Sequence, residues 1–326
     1  MERQGRVPPE AWRLAAAGRR GEAILLVQRL AAGGDADALF TLAEWRLIGQ
    51  VVPQDLPEAR ALYRRAGEAG LLQGAIFHTN LLASGVGGPS DWAGALERLR
   101  GEARADPQRR RALALIEAMK LGDDGAPAAA PAGRRLSESP HVTMFPKLFS
   151  AAECRYLVEI AEPGFAPSVV VDAATGETRR DPLRTSEGST MHWLLADPVV
   201  EALNRRLAAA SGTKVGQGEP LQILRYRPGQ EYRLHLDAIP GKANQRIMTA
   251  LVWLNEAYEG GETRFVETEL QAKGGTGDAI LFRNVLGDGR PDPASKHAGL
   301  PVTRGTKLLA SRWICERPHA LPRPPG

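Results

Sequence analysis

Cysteine is nearly missing from this chain: Cys154 and Cys315 are the only two in 326 residues. That excludes a secreted scaffold stapled by disulfides, and it agrees with a reducing, cytoplasmic location. Long hydrophobic runs are missing too. No apolar stretch approaches the roughly 20 residues of a transmembrane helix, so no membrane partner is expected. The longest run near the start, residues 23–27, closes at Arg29, and the pair Arg19-Arg20 is followed by Glu22 with no apolar segment or small-residue cleavage site. Neither therefore reads as an export signal. Charge of one sign is not in excess, with 42 Lys and Arg against 38 Asp and Glu and a net charge of +4. That balance does not call for a nucleic acid as partner. What remains is an ordinary globular composition, 43% hydrophobic and 25% charged, long enough for two domains.

The average conceals two halves. Residues 1–120 hold 23 Ala and 11 Val, Ile or Thr, whereas residues 141–320 hold 21 Ala and 30 Val, Ile or Thr. Ala favours helix and β-branched residues favour strands, so a helical domain (1–120) precedes a strand-rich one (141–320). Residues 121–140, rich in Gly, Pro and Ser, read as a linker. The helical half repeats itself. Asp55, Glu58 and Ala59 align with Asp91, Gly94 and Ala95 at an offset of 36 residues, as Glu22 and Ala23 align with Glu58 and Ala59, Leu26 with Leu62, and Gly34 with Gly70. Three such units fill roughly 1–106. Each is a helix pair that buries its apolar face only by stacking, with Ala23, Ala59 and Ala95 allowing close approach. The pattern resembles Sel-like repeats, relatives of tetratricopeptide repeats, and implies an α-solenoid. Such an array either recruits a protein partner or only supports the fold.

In the second half, Ser150 and Glu153 form a capping box that opens a helix to about residue 160, and Asp197-Pro198 opens another that Gly212 ends. Short strands follow at 221–226, 232–237, 247–254, 278–282 and 307–314, separated by Gly and Pro turns, as in a sandwich or barrel.

The chemistry concentrates in Leu234-His235-Leu236-Asp237. On a strand, His235 and Asp237 project to one face and the two leucines to the opposite layer. His297 follows 62 positions after His235. Two histidines and a carboxylate compose the facial triad of non-heme Fe(II) oxygenases, which leaves positions open for a cosubstrate and O2. Lys307, ten residues past His297, starts another strand. A cation pointing into a barrel needs an anion, and the far carboxylate of 2-oxoglutarate supplies one.

Wider motifs surround these residues. Tyr226, Gly229, Tyr232, His235 and Asp237 form one run, Thr249 to Asn255 another; Gly260-Gly261-Glu262-Thr263, Gly277 to Asn284, and His297 to Lys307 complete the set. Over residues 141–316 the chain resembles the prolyl 4-hydroxylase branch of the Fe(II)/2-oxoglutarate dioxygenases. The resemblance implies an α+β protein whose C-terminal domain is a double-stranded β-helix, or jelly roll, with flanking helices. It implies His235, Asp237 and His297 as iron ligands and Lys307, Tyr226, Thr249 and Trp253 around 2-oxoglutarate. It also implies Fe(II), 2-oxoglutarate and O2, with ascorbate as an accessory reductant. Trp253 departs from the family, where this position is usually Tyr; an indole N–H donates only, and the ring is larger.

Arg184, Tyr232 and Trp313 are candidate substrate residues; each also has an ordinary reading, Arg184 in a solvated loop and the two aromatics in the core. The polar segment 169–184 is a candidate lid. His78, His141, His192 and His319 have no ligand spacing and read as structural, Cys154 and Cys315 as buried thiols, and Arg109-Arg110-Arg111 as a solvated helix face. Three functions remain open: hydroxylation of a protein or peptide, at proline C4 in particular; the same chemistry on a free amino acid or small molecule; and a repeat-mediated binding scaffold with an inert barrel. Oligomeric state is not legible.

Overall fold

The computed structural model describes residues 7–171 and 178–319. Seven helices come first: α1 (Pro9–Ala16), α2 (Arg20–Ala32), α3 (Ala36–Ile48), α4 (Leu56–Glu68), α5 (Leu72–Ser84), α6 (Trp92–Glu102) and α7 (Pro107–Ala118). Each packs on its neighbours in sequence. The starts of α2, α4 and α6 are spaced by 36 residues. Asp55 and Asp91 cap α4 and α6 in the same way, each Oδ1 accepting from the backbone N–H three residues on, at 2.9 and 2.8 Å. Ala23, Ala59 and Ala95 are all buried. Between α4 and α5 the backbones touch: a Cβ on Gly67 would lie 2.8 Å from the Cα of Ala75.

The strands begin inside the segment read as a linker. β1 (Arg134–Glu138) pairs with β2 (His141–Phe145), then α8 (Ala151–Ala161), β3 (Ala166–Pro167), β4 (Val169–Val171), β5 (Thr178–Arg180), β6 (Glu187–Met191) and α9 (Pro198–Ser211) follow. Next come β7 (Leu221–Tyr226), β8 (Tyr232–His235), β9 (Arg246–Trp253), β10 (Tyr258–Gly260), β11 (Thr263–Phe265) and β12 (Gln271–Ala272). The last are β13 (Ala279–Arg283), β14 (His297–Gly299), β15 (Val302–Gly305) and β16 (Lys307–Cys315). An eight-stranded antiparallel sheet has the order β1-β2-β13-β9-β16-β7-β6-β3, and a four-stranded one the order β12-β11-β14-β8. Residues 121–140 are thus no free tether. Their end is a polar edge strand, and Asp124 accepts through its backbone oxygen from Arg205 of α9. A short polar strand suits a sheet edge, where unpaired backbone groups need water.

The large sheet alternates cleanly. Leu221, Ile223, Ala250, Val252, Leu281 and Ala310 face α8 and α9, in one core cluster with Trp92, Leu99 and Ile116 of the helical array. Leu224, Leu251, Trp253, Ile280, Phe282 and Leu309 face the other way, toward Phe265 of the small sheet. Among the described residues, no helix is long and apolar enough to cross a membrane.

The seam between array and sheet holds a buried polar network. Arg109 Nε donates to Glu102 Oε2 at 2.7 Å, and its Nη1 lies 3.7 Å from Asp197 Oδ2. Tyr156 donates to the same Asp197 oxygen, Thr79 donates to Glu102 at 2.5 Å, and Asn80 Nδ2 donates to the backbone oxygen of Leu194 at 2.7 Å. This corrects the expectation of a solvated arginine face. Arg109 is 3% exposed, because the turn of α7 that carries it faces α9; the exposed Arg111 pairs with Glu159 of α8. Arg109→Met strands two buried carboxylates and is expected to lower the unfolding free energy by about 3–5 kcal/mol. Arg111→Ala is expected to lower it by less than about 1 kcal/mol. Urea unfolding of both variants checks the contrast.

Candidate active site

Strands β8 and β14 run antiparallel with His235 directly opposite His297, ring centroids 4.3 Å apart. Strand β8 stops at His235, so Asp237 comes from the bend beyond it. It still points the same way: Oδ1 lies 3.5 Å from His235 Nε2, and Oδ2 lies 3.8 Å from His297 Nε2. One ligand atom from each of the three residues falls within 4.8 Å of the others, and all three residues are buried. The expected layer of leucines behind them is not formed. Leu234 is 41% exposed, because β8 is the outermost strand of the small sheet and its back meets solvent.

Both imidazoles are anchored by backbone. Nδ1 of His235 lies 2.7 Å from the Arg233 carbonyl oxygen, and Nδ1 of His297 lies 2.9 Å from that of Ser295. A carbonyl only accepts, so Nδ1 carries the proton and Nε2 keeps its lone pair. Nε2 of His235 is buried with no hydrogen-bond partner. An outward-bonded Nδ1 and a free inward Nε2 are the arrangement of metal-ligating histidines. Burial pushes the His297 imidazole down to about 4, so it is neutral near pH 7. Burial raises the Asp237 carboxyl, but His235, His297 and Thr249 more than offset this and hold it below the usual range. Two imidazoles and one carboxylate on one wall suit a divalent first-row metal with open positions, so the residues present fit Fe(II).

The triad borders a narrow cavity that is partly open to solvent. Strand β16 lines it at every second residue, Lys307, Leu309, Ser311 and Trp313. Lys307 is in register with Tyr226 of β7, and Trp313 with Thr249 of β9. Lys307 is buried and donates to the Gly261 carbonyl at 2.6 Å. Gly260 and Gly261 make this close turn with φ of +71° and +69°, a region in which L side chains are strained. Burial, with Lys273 nearby, pushes the Lys307 ammonium down to about 8 although Glu262 opposes this. Burial also raises the Tyr226 hydroxyl.

Two residues expected around 2-oxoglutarate sit differently. Thr249 lines the cavity, but its hydroxyl is given to Asp237 Oδ2 at 2.6 Å. Trp253 does not line it. The indole is fully buried in the core between the sheets, and its far edge fits only because residue 274 is Gly, whose Cβ would stand 2.5 Å from the ring. The three candidate substrate residues all line the cavity. Tyr232 stacks on His235 with centroids 3.6 Å apart, Arg184 lies 5.4 Å from the Tyr232 ring and 5.9 Å from Trp313, and Trp313 Nε1 is buried without a partner. Of the candidate lid, residues 172–177 lie outside the described residues; β4 and β5 flank them as a paired hairpin, and Leu183 and Thr185 are hydrogen-bonded to Arg233 and Glu231 beside β8.

Sequence reasoning missed Arg246, which lies on Trp313 at 3.6 Å and is held by both oxygens of Glu219. It also missed Asn284, which donates to Thr249 at 2.9 Å. A polar residue closing an apolar strand was the available signal for Asn284. His319, read as merely structural, falls with Glu219 and Cys315 in a second compact group. There Glu219 Oε1 already accepts from Lys242 and Arg246.

Residues 221–315 match the 2OG-Fe(II) oxygenase superfamily. Prolyl 4-hydroxylase 1 of Arabidopsis thaliana is 34% identical over 201 residues, covering 56% of this chain and 71% of that protein. Probable prolyl 4-hydroxylase 3 of the same plant is 32% identical over 203 residues, covering 55% and 70%. A solved structure of a viral collagen prolyl hydroxylase from Paramecium bursaria Chlorella virus-1, as its 2OG complex, is 25% identical with a TM-score of 0.42, covering 55% of this chain and 98% of that one.

Titration of the metal-free protein with Mn(II), followed by electron paramagnetic resonance, is expected to show one site per chain. His235→Ala, Asp237→Ala and His297→Ala are each expected to abolish it while leaving the circular dichroism of the fold unchanged.

Proposed function

The chain belongs to the prolyl 4-hydroxylase family of 2OG-Fe(II) oxygenases, and on that premise we propose that it hydroxylates a prolyl residue of a protein or peptide at C4, with His235, Asp237 and His297 as iron ligands. It is an Fe(II)- and 2-oxoglutarate-dependent dioxygenase. Bound Fe(II) supplies the O2 activation that couples oxidative decarboxylation of 2-oxoglutarate to hydroxylation of a C–H bond. The observation that carries the ligand set is the pair of backbone-anchored histidines with Nε2 turned to one carboxylate.

The chain's own residues have separate tasks. Lys307 pairs with the far carboxylate of 2-oxoglutarate, exchanging the Gly261 carbonyl for a charged partner, and Tyr226 stands beside it in register. Leu224, Leu251 and Leu309 keep that end of the cavity dry, which strengthens the ion pair. Tyr232, Arg184 and Trp313 hold the substrate at the other end, where the unpaired indole N–H meets a peptide carbonyl. The apposed sheets are the two walls of a double-stranded β-helix, a reading supported by the packing of Phe265 on Phe282. Helices α2–α7 are three stacked Sel-like pairs, supported by the 36-residue spacing, and present the docking surface for the protein that carries the prolyl residue. The free thiols Cys154 and Cys315 support a cytoplasmic location.

Incubation with Fe(II), 2-oxoglutarate and proline-containing peptides is expected to add one oxygen atom per proline, read by mass spectrometry, and each ligand variant is expected to be inactive. Full turnover by any of the three variants overturns the ligand set; oxygen gained by a free amino acid and by no peptide overturns the substrate assignment. Anaerobic Fe(II) with 2-oxoglutarate is expected to give a visible charge-transfer band that His297→Ala lacks.

Lys307 sets a pH dependence. The protonated ammonium binds the dicarboxylate, and in the free enzyme it loses its proton near pH 8. The KM for 2-oxoglutarate is therefore expected to be flat below about pH 8 and to rise by about tenfold per unit above it. Lys307→Met is expected to raise KM by about 100-fold and to remove the pH dependence.

A further inference from the structure

We propose that Asn284 is a positioning residue that orients the metal-binding carboxylate of Asp237 through the hydroxyl of Thr249. The inference rests on the reading of Asp237 as an iron ligand.

Asn284 follows β13 directly and is fully buried. Its backbone is fixed on both sides: its N–H donates to the Ile247 carbonyl and its carbonyl accepts from the Asp292 N–H, each at 2.9 Å. Its Nδ2 donates to Thr249 Oγ1 at 2.9 Å, and Thr249 Oγ1 donates to Asp237 Oδ2 at 2.6 Å. The direction of this chain follows from chemistry. An ionised carboxylate only accepts, and a hydroxyl has one proton, so Thr249 must spend its proton on Asp237. Whatever meets the lone pairs of the Thr249 oxygen must then be a donor, and the amide NH2 of Asn284 is one. The other amide atom, Oδ1, is buried without a hydrogen-bond partner. An apolar residue would avoid that loss, so the donor is what the position requires.

The consequence falls on the metal. Oδ2 is held by Thr249, and Oδ1 lies nearest His235 Nε2, so the hydroxyl would fix the plane of the carboxylate that would hold the cation. Partners of this outer kind typically contribute 10–100-fold in metal affinity.

The test uses the metal-free full chain and Mn(II) affinity, with thermal unfolding of the metal-free protein recorded alongside. Asn284→Asp keeps the shape and replaces the donor with an acceptor that competes for the Thr249 proton. It is expected to weaken Mn(II) binding by about tenfold or more. Asn284→Leu removes the donor without adding a charge and carries the same expectation, so failure of one variant to fold leaves the other decisive. Thr249→Val is expected to weaken binding to a similar degree, Thr249→Ser to retain it, and Asn284→Leu combined with Thr249→Val to be no worse than Thr249→Val alone. A purely structural role would lower the unfolding temperature and leave affinity unchanged. Mn(II) affinity within twofold of wild type in a folded Asn284 variant, or effects that multiply in the double variant, overturns the proposal. Unaltered Mn(II) binding by Asp237→Ala overturns the underlying ligand reading instead.

Discussion

The antiparallel pairing of β8 with β14 is the constraint on which the site depends. It places residues 62 positions apart directly across a ladder, and it turns the strand backbone into the device that orients both rings. The carbonyls of Arg233 and Ser295 fix the Nδ1 protons and so free the Nε2 lone pairs. The packing beneath is equally specific. His297 rests on Phe282 at 4.8 Å and Phe265 at 5.5 Å, and those two rings meet edge to face at 5.0 Å. The contact that holds the sheets together is therefore also the floor of the triad, and a change in sheet separation would move a ligand.

Charge is used inside the protein in two ways. At the triad and at Lys307, charges are buried along the wall of one cavity, where a low dielectric makes ionic contacts strong. At the seam, Arg109 is buried between Glu102 and Asn80, to which it donates, and Asp197, with which it pairs, while its Nη2 has no hydrogen-bond partner. Arg109 locks α7 to α9, and the core cluster runs without a break from α6 and α7 through α9 to the back of the large sheet. Two halves of contrasting composition thus share one interior.

Much of this was legible in the sequence. Strand β7 falls where alternation and turn residues put it, and β9, β13 and β16 fall within one residue of their expected ends, because Gly and Pro punctuate the chain strongly at those points. Capping signals at Ser150 and Asp197 are local, and each is made as read. The composition of residues 121–140 spoke for a tether, but backbone hydrogen bonds to β2 decided that its end is a strand. The arginine run looked solvated because helix periodicity alone does not say which face meets another element.

What the sequence by itself determined is the chemistry on offer: two imidazoles and a carboxylate at a family spacing, a lysine ten residues on, and a helical half distinct from a strand-rich one. Side-chain type and local period carry that information, since both act within a few residues. Only the tertiary structure decided who meets whom. It put Trp253 in the core and Trp313 on the cavity, gave the Thr249 hydroxyl to Asp237, brought Asn284 behind it, and buried Arg109 against Asp197. Those outcomes depend on sheet register and on the packing of distant elements, in which a shift of one residue turns every side chain to the opposite face.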